Sequence, residues 1–165
     1  MKINCTQYNC VLQLTIVNTN SAQTSAALQL DQQLCFALYS ASLAMSKHYK
    51  PLLDPLGLTY PQYVVMLVLW ESDDVTVTVL GERVGLDSGT LTPLLKRLEA
   101  AGLLMRQRDT EDERRVRVML SPAGTALRAQ AQTIPGCVLK ATGLKLSDVK
   151  ALTQQLQALR KRIAL

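Results

Sequence analysis

Apolar residues recur at spacings of three and four through Leu34, Leu38, Ala41, Met45 and Tyr49, which predicts a helix over 31–49 with Asp31 as its N-cap. Pro51 and Pro55 flank a break, and 57–61 form a second turn-rich junction. The run 62–71 carries Val, Leu and Met with no polar stripe, so it reads as a short helix buried on nearly every side, Trp70 included. After a loop at 72–74, residues 76–84 form a helix that Gly85 ends. Another begins at Asp87 or Ser88 and stops at Gly102, with Leu91, Leu94, Leu95 and Leu98 at i, i+3, i+4 and i+7 as its inward face.

The period then changes. Residues 103–108 and 115–120 are β-like, the second with Val116, Val118 and Leu120 on one face and Arg117 on the other. Beyond Gly124 a helix continues to Thr133, where Pro135 and Gly136 interrupt it just before Cys137. A last helix over 147–162, N-capped by Ser147, shows the stripe Val149, Leu152, Leu156, Leu159 and Ile163. Two short helices, a tight turn and a two-stranded tip make a winged helix-turn-helix. The fold class is therefore mainly α with a small β wing, in one domain over 28–165. Its terminal helices, 30–50 and 146–164, are expected to bury their stripes in a homodimer, and the nucleic-acid-binding part spans 75–122.

Composition agrees with a helical chain long enough for one sizeable core: 48% of residues are hydrophobic and only 4% aromatic. The formal charge of +5 permits a polyanionic partner. Yet residues 81–117 hold eight Lys or Arg against seven Asp or Glu, so placement of charge must carry any such claim. Four cysteines, at 5, 10, 35 and 137, are too scattered for a disulfide scaffold or a structural metal, and no cofactor is implied. The apolar run 10–17 is too short and too interrupted to span a membrane, and the chain reads as cytoplasmic. Residues 1–27, rich in Asn, Thr, Ser and Gln, are expected either to be disordered or to reflect a translation start assumed too far upstream.

The inward leucines of the second helix of the motif leave Ser88, Gly89, Thr90, Thr92, Pro93, Lys96 and Arg97 outward or along its flanks. A helix in the major groove reads bases near its N-terminal end, and basic residues farther along hold phosphates. These residues are the expected contacts to double-stranded operator DNA. At the wing tip, Asp109, Glu111, Asp112 and Glu113 would repel phosphates if unpaired, so some must pair with Arg106, Arg108, Arg114 or Arg115. Asp112 is expected to orient Arg114 with its guanidinium free for a narrow minor groove.

The segments DSGTLTPLLKRLEAAGLL and DTEDERRVRVMLSPAG resemble the MarR family of bacterial transcription regulators, over 28–165. Within it, LCFALYSASLAMSKHYKPLLDPLGLTYPQYVVMLVLWE is similar to the organic hydroperoxide resistance regulators. The resemblance implies that Cys35 senses peroxide and that Tyr49 and Tyr60, with Tyr39 nearby, hydrogen-bond to it. It also implies that Arg114 is the wing arginine, that Asp112 anchors it, and that the repressed gene encodes a thiol-dependent peroxidase. Cys137 matches members whose oxidised sensor forms an intersubunit disulfide, here Cys35 to Cys137 of the partner subunit.

The chemistry follows from elementary considerations. A thiolate attacks an O–O bond and becomes a sulfenic acid, and the start of a helix, with its free amides, favours an anionic sulfur. Cys35 and Tyr49 are roughly 21 Å apart along one helix at about 1.5 Å per residue, so a contact between them must cross subunits. His48 reads as a solvated surface residue. Two other readings stand beside a peroxide-sensing repressor: a regulator that binds a phenolic or aromatic ligand with its cysteines as bystanders, and a thiol peroxidase using Cys35 and Cys137. The winged region counts against the enzyme.

Overall fold

The structure, a computed structural model, describes residues 28–110, 112 and 114–163; the segment 1–27 and its expected disorder lie outside the described residues. The chain divides between Leu43 and Ala44 into two units. In the first, Leu30–Gln32 form a 3-10 turn and helix α1 (Leu34–Leu53) opens. Asp31 lies in that turn and is not the N-cap. Gln33 closes the turn on the Leu30 carbonyl at 3.0 Å and is itself extended, so the helix restarts at Leu34. Leu34 and Tyr39 stay more than half exposed.

In the second unit α1 runs through Pro51 to Leu53, where the pattern predicts a break. Proline fits helical φ and forfeits only its own N–H bond, so two further residues complete the helix before a 3-10 turn at Asp54–Leu56. Gly57, at φ 65°, turns the chain. Helix α2 (Tyr60–Glu71) begins earlier than predicted because Thr59 and Gln62 form a capping box, the Thr59 amide donating to Gln62 Oε1 at 2.8 Å. As expected, α2 is buried nearly all round: Tyr63, Val65, Met66, Val68, Leu69 and Trp70 belong to the core. The Trp70 indole N–H donates to the Gly124 carbonyl at 2.9 Å.

Strand β1 (Val75–Thr76) was hidden in what the sequence offers as loop and helix start. Helix α3 (Val77–Val84) follows, capped by Thr76 and ended by Gly85 at φ 71°. Helix α4 (Ser88–Ala100) is capped by Asp87, with Gly102 left-handed just beyond its end. Leu91, Leu95 and Leu98 are at most 1% exposed, whereas Leu94 is half-buried on the flank of that stripe. Strands β2 (Leu104–Arg108) and β3 (Val116–Leu120) form the wing, paired antiparallel from Leu104↔Leu120 to Arg108↔Val116. β1 adds to the far edge of β3, giving the order β1-β3-β2.

Helix α5 (Pro122–Ala131) is capped by Ser121, and helix α6 (Ile134–Thr142) follows after a two-residue break. Pro135 and Gly136 therefore do not interrupt a helix; they sit in the first turn of α6, where a missing N–H costs nothing. Cys137 shares that turn, its amide bonded to the Thr133 carbonyl at 3.2 Å. Helix α7 (Leu146–Ile163) starts at Leu146, so Ser147 is not its N-cap; the Ser147 hydroxyl lies against Asp148 Oδ1 at 3.1 Å. No residue of α7 is buried, and Leu152, Leu156 and Ile163 stay exposed. The core gathers α2, the inward faces of α3 and α4, Leu104, Val118, and Ala131, Ile134 and Val138.

Candidate nucleic-acid interface and thiol residues

The N-terminus of α4 is built by Asp87, whose carboxylate accepts the Thr90 amide at 2.9 Å and the Thr90 hydroxyl at 2.8 Å. These bonds, the amide first, hold the Asp87 carboxyl below its usual range. Thr90 is thus tied to the cap, and the half-buried Thr92 donates its hydroxyl to the Ser88 carbonyl at 2.7 Å. Ser88, Gly89, Pro93, Lys96 and Arg97 are exposed. Neither Lys96 nor Arg97 has an ion-pair partner among the described residues, so both cations face solvent.

The wing is braced differently from the sequence expectation. Arg106 pairs with Glu99 at the end of α4, Nε to Oε2 at 3.0 Å, while its amide donates to Glu99 Oε1 at 3.1 Å. It therefore serves the helix and not the acidic tip. The hydrogen bond from Arg106 holds the Glu99 carboxyl low. Asp112 accepts the Arg114 amide at 3.1 Å and pairs with Arg115 Nε at 3.4 Å. It grips the backbone of Arg114 and the side chain of its neighbour, and Arg114 stays exposed without an ion pair among the described residues. Glu111 and Glu113 lie outside the described residues. Arg106, Arg114 and Arg115 line a cleft of about 290 Å³ with Ser88 and Thr92, so wing and helix open on one basic hollow.

Cys35 and Tyr39 lie in the first turns of α1, both exposed, and Cys35 is a free thiol. In the other unit, Tyr49 and Tyr60 come together with ring centroids 4.7 Å apart, and Tyr63 joins at 5.9 Å from Tyr49. The sequence reading missed Tyr63; its i, i+3 spacing from Tyr60 on a helix was the signal available. Burial first, then the neighbouring phenols Tyr60 and Tyr63, push the Tyr49 hydroxyl up to about 12. Beside Tyr60, a cavity of about 350 Å³ is lined by Ser46, Lys50, Leu53, Leu58, Thr59 and Pro61. Cys137 is exposed and free in the first turn of α6, while Cys5 and Cys10 lie outside the described residues. His48 is not a solvated residue: it is half-buried, with Nε2 shielded from water and unpartnered among the described residues. Packing of α1's second half turns that face inward. Among the described residues no His, Cys, Asp and Glu side chains cluster to hold a metal, and no single helix is long and apolar enough to cross a membrane.

The model of the MarR family matches residues 58–116, the stretch from the start of α2 to β3. The organic hydroperoxide resistance transcriptional regulator of Bacillus subtilis is 48% identical over 132 residues, 80% of this chain and 90% of that protein. The transcriptional regulator TtmR of Methylorubrum extorquens is 47% identical over 134 residues, covering 81% of this chain and 69% of that one. Among solved structures, AbfR of Staphylococcus epidermidis is similar with a TM-score of 0.71 and 32% identity over 86% of this chain and 98% of that one. AbfR has also been solved reduced on DNA (TM-score 0.69, 31% identity) and in a disulfide-formed state (0.59, 32%).

Proposed function

The chain belongs to the MarR family of transcription regulators, and from that premise we propose that it is a peroxide-sensing repressor, a homodimer whose reduced form binds an inverted-repeat operator in the cytoplasm. Ser88, Gly89, Thr90, Thr92 and Pro93 face base edges in the major groove. Lys96 and Arg97 hold phosphates, and Arg114 enters the adjoining minor groove from the wing. The signal is an organic hydroperoxide. The Cys35 thiolate attacks its O–O bond, the alcohol leaves with a proton, and sulfur, oxidised by two electrons, becomes a sulfenic acid. The Cys137 thiol of the partner subunit displaces that oxygen as water and an intersubunit disulfide forms. The movement of α6 that the bond demands separates the α4 helices and releases a gene for a thiol-dependent peroxidase.

The observation that carries this reading is that both thiols are free, exposed and set in the first turn of a helix, Cys35 in α1 and Cys137 in α6. There solvent gives the oxidant access to both sulfurs. A similar protein, AbfR, exists both reduced on DNA and in a disulfide form, which supports the same pair of states here. Tyr49 and Tyr60 are assigned to the Cys35 sulfur across the two-fold axis, since the length of α1 forbids Tyr49 to Cys35 within one chain, and Tyr39 is assigned to it as a third tyrosine nearby.

A second reading, a regulator that binds a phenolic or aromatic ligand, rests on the largely apolar cavity beside Tyr60, where Lys50 is already paired with Asp54 at 2.9 Å. One experiment separates the two. The chain is treated with stoichiometric cumene hydroperoxide, run on a non-reducing gel and assayed for DNA binding in the same sample. A covalent dimer that no longer shifts DNA is expected, with Cys35→Ser and Cys137→Ser each abolishing both effects. DNA release by peroxide that survives Cys35→Ser sinks the redox reading; release by a non-oxidising phenol from Cys35→Ser favours the second.

A further inference from the structure

One guanidinium ties the loop before β1 to the neck of the wing. Arg117 Nε donates to Asp74 Oδ1 at 2.7 Å, Nη2 to the Asp74 carbonyl at 2.8 Å, and Nη1 to Asp109 Oδ2 at 3.4 Å. Asp74 holds φ 57°, the sole left-handed residue other than glycine among the described residues. Such a conformation persists only where its surroundings over-determine it, and here they do. The neighbouring Asp73 carboxylate accepts both the Asp74 amide and the Leu120 amide at 2.8 Å, fixing the loop to the end of β3. On the other side of Arg117, the Asp109 amide donates to the Arg115 carbonyl at 2.9 Å and closes the neck. Arg114 is the next residue toward the tip.

Exposed ion pairs contribute little to global stability, and the Arg117 side chain is 37% exposed. What this arrangement supplies is direction: Arg117 holds the neck of the wing from two sides, through Asp74 and Asp109.

We propose that Arg117, by clamping Asp74 and Asp109, is a positioning residue that aims the wing and its Arg114 at DNA while touching no base or phosphate itself. The inference rests on the DNA-binding reading above. The same bonds hold the Asp74 carboxyl low and the Arg117 guanidinium high, so the clamp stays charged throughout the working pH range.

The test uses the full reduced chain and, as probe, the tightest duplex that the wild-type chain recovers from a random-sequence library, with a scrambled duplex as control. Dissociation constants are measured across a salt series for wild type, Arg117→Ala, Arg117→Lys, Arg114→Ala and the double alanine variant, each with a thermal melt. Expected are at least tenfold weaker binding for Arg117→Ala with an unchanged salt slope, and nearly as large a loss for Arg117→Lys, whose ammonium cannot span both carboxylates and the carbonyl. The double variant should bind no more weakly than Arg114→Ala alone, because Arg117 acts through Arg114. If Arg117→Ala does not fold, Arg117→Lys and Asp74→Asn carry the same comparison. Binding within twofold of wild type, additive losses, or a salt slope reduced by about 0.9, the signature of one lost phosphate contact, overturns the proposal. A wild-type chain that recovers no preferred duplex overturns the DNA-binding reading and this inference together, whereas wild-type binding with unaffected variants overturns the inference alone.

Discussion

Tyr49 shows how a single side chain reports its enclosure. Its phenol is half-buried against Tyr60 and Tyr63, and the neutral form is favoured because water cannot solvate the phenolate there. A group whose folded value lies above its unfolded 10.0 contributes stability that is complete below pH 10 and lost as pH rises toward 12. Phenolate absorbance should therefore show a step near the end of the alkaline titration that Tyr49→Phe removes, with Tyr63 also ionising above the ordinary tyrosine range. Ionisation of every tyrosine near pH 10 in the folded chain contradicts the enclosure. The resemblance implied Tyr49 and Tyr60 as partners of Cys35, but neither their pairing with each other nor the inclusion of Tyr63 was expected. Nothing in the order of residues says which side of a short apolar helix meets a neighbour.

At the scale of elements, the caps of α3 and α4 were legible, while those of α1 and α7 and the junctions were not. Asp87, Gly85 and Gly102 announce the ends of α3 and α4 because their side chains, or the lack of one, solve a local problem of orphan amides and left-handed φ. The start of α1 was misplaced because a 3-10 turn closed by Gln33 precedes it, and the lengths at Pro51 and Pro135 because a proline's effect depends on which turn of a helix it occupies. β1 was invisible, since two residues have no period and pair only because β3 offers its edge. The junction of α5 with the turn after α4 is just as non-local. A Cβ on Gly124 would lie 1.9 Å from the Leu103 carbonyl oxygen, a backbone atom that cannot swing aside, while the Gly124 carbonyl already holds the Trp70 indole. Gly124→Ala should cost roughly 3 kcal/mol or more. A melting temperature lowered by about 6–12 °C is expected, and a loss under about 2 °C would show that the two elements are not so closely docked.

Over the whole molecule, carboxylates hold the DNA-binding elements in register: Asp87 caps α4, Glu99 joins it to β2 through Arg106, and Asp74 joins the loop at 72–74 to β3 through Arg117. All three are held below their ordinary values by hydrogen bonds to the charged form. Stability from a lowered carboxyl is present above the unfolded value near 4 and disappears as pH falls through the folded one. Melting temperature should accordingly be flat from neutral pH down to about 4 and then fall, with Asp74→Asn flattening part of the decline. A decline that begins near pH 6 contradicts the assignment to these carboxylates.

The sequence alone determined the order of helices and strands from α2 to β3 apart from β1, the inward stripe of α4, the terminal amphipathic stripes and the family, because hydrophobic period and capping chemistry are local and act over a few residues. Tertiary structure decided which charges meet. Arg106 chose Glu99 and Arg117 chose Asp74 and Asp109 through strand register and helix docking that bring separated residues within 3.5 Å, while Asp112 took the amide of Arg114 and the side chain of Arg115 within its own turn. A carboxylate can find any of several arginines along a chain; only the folded backbone fixes which one stands within its reach.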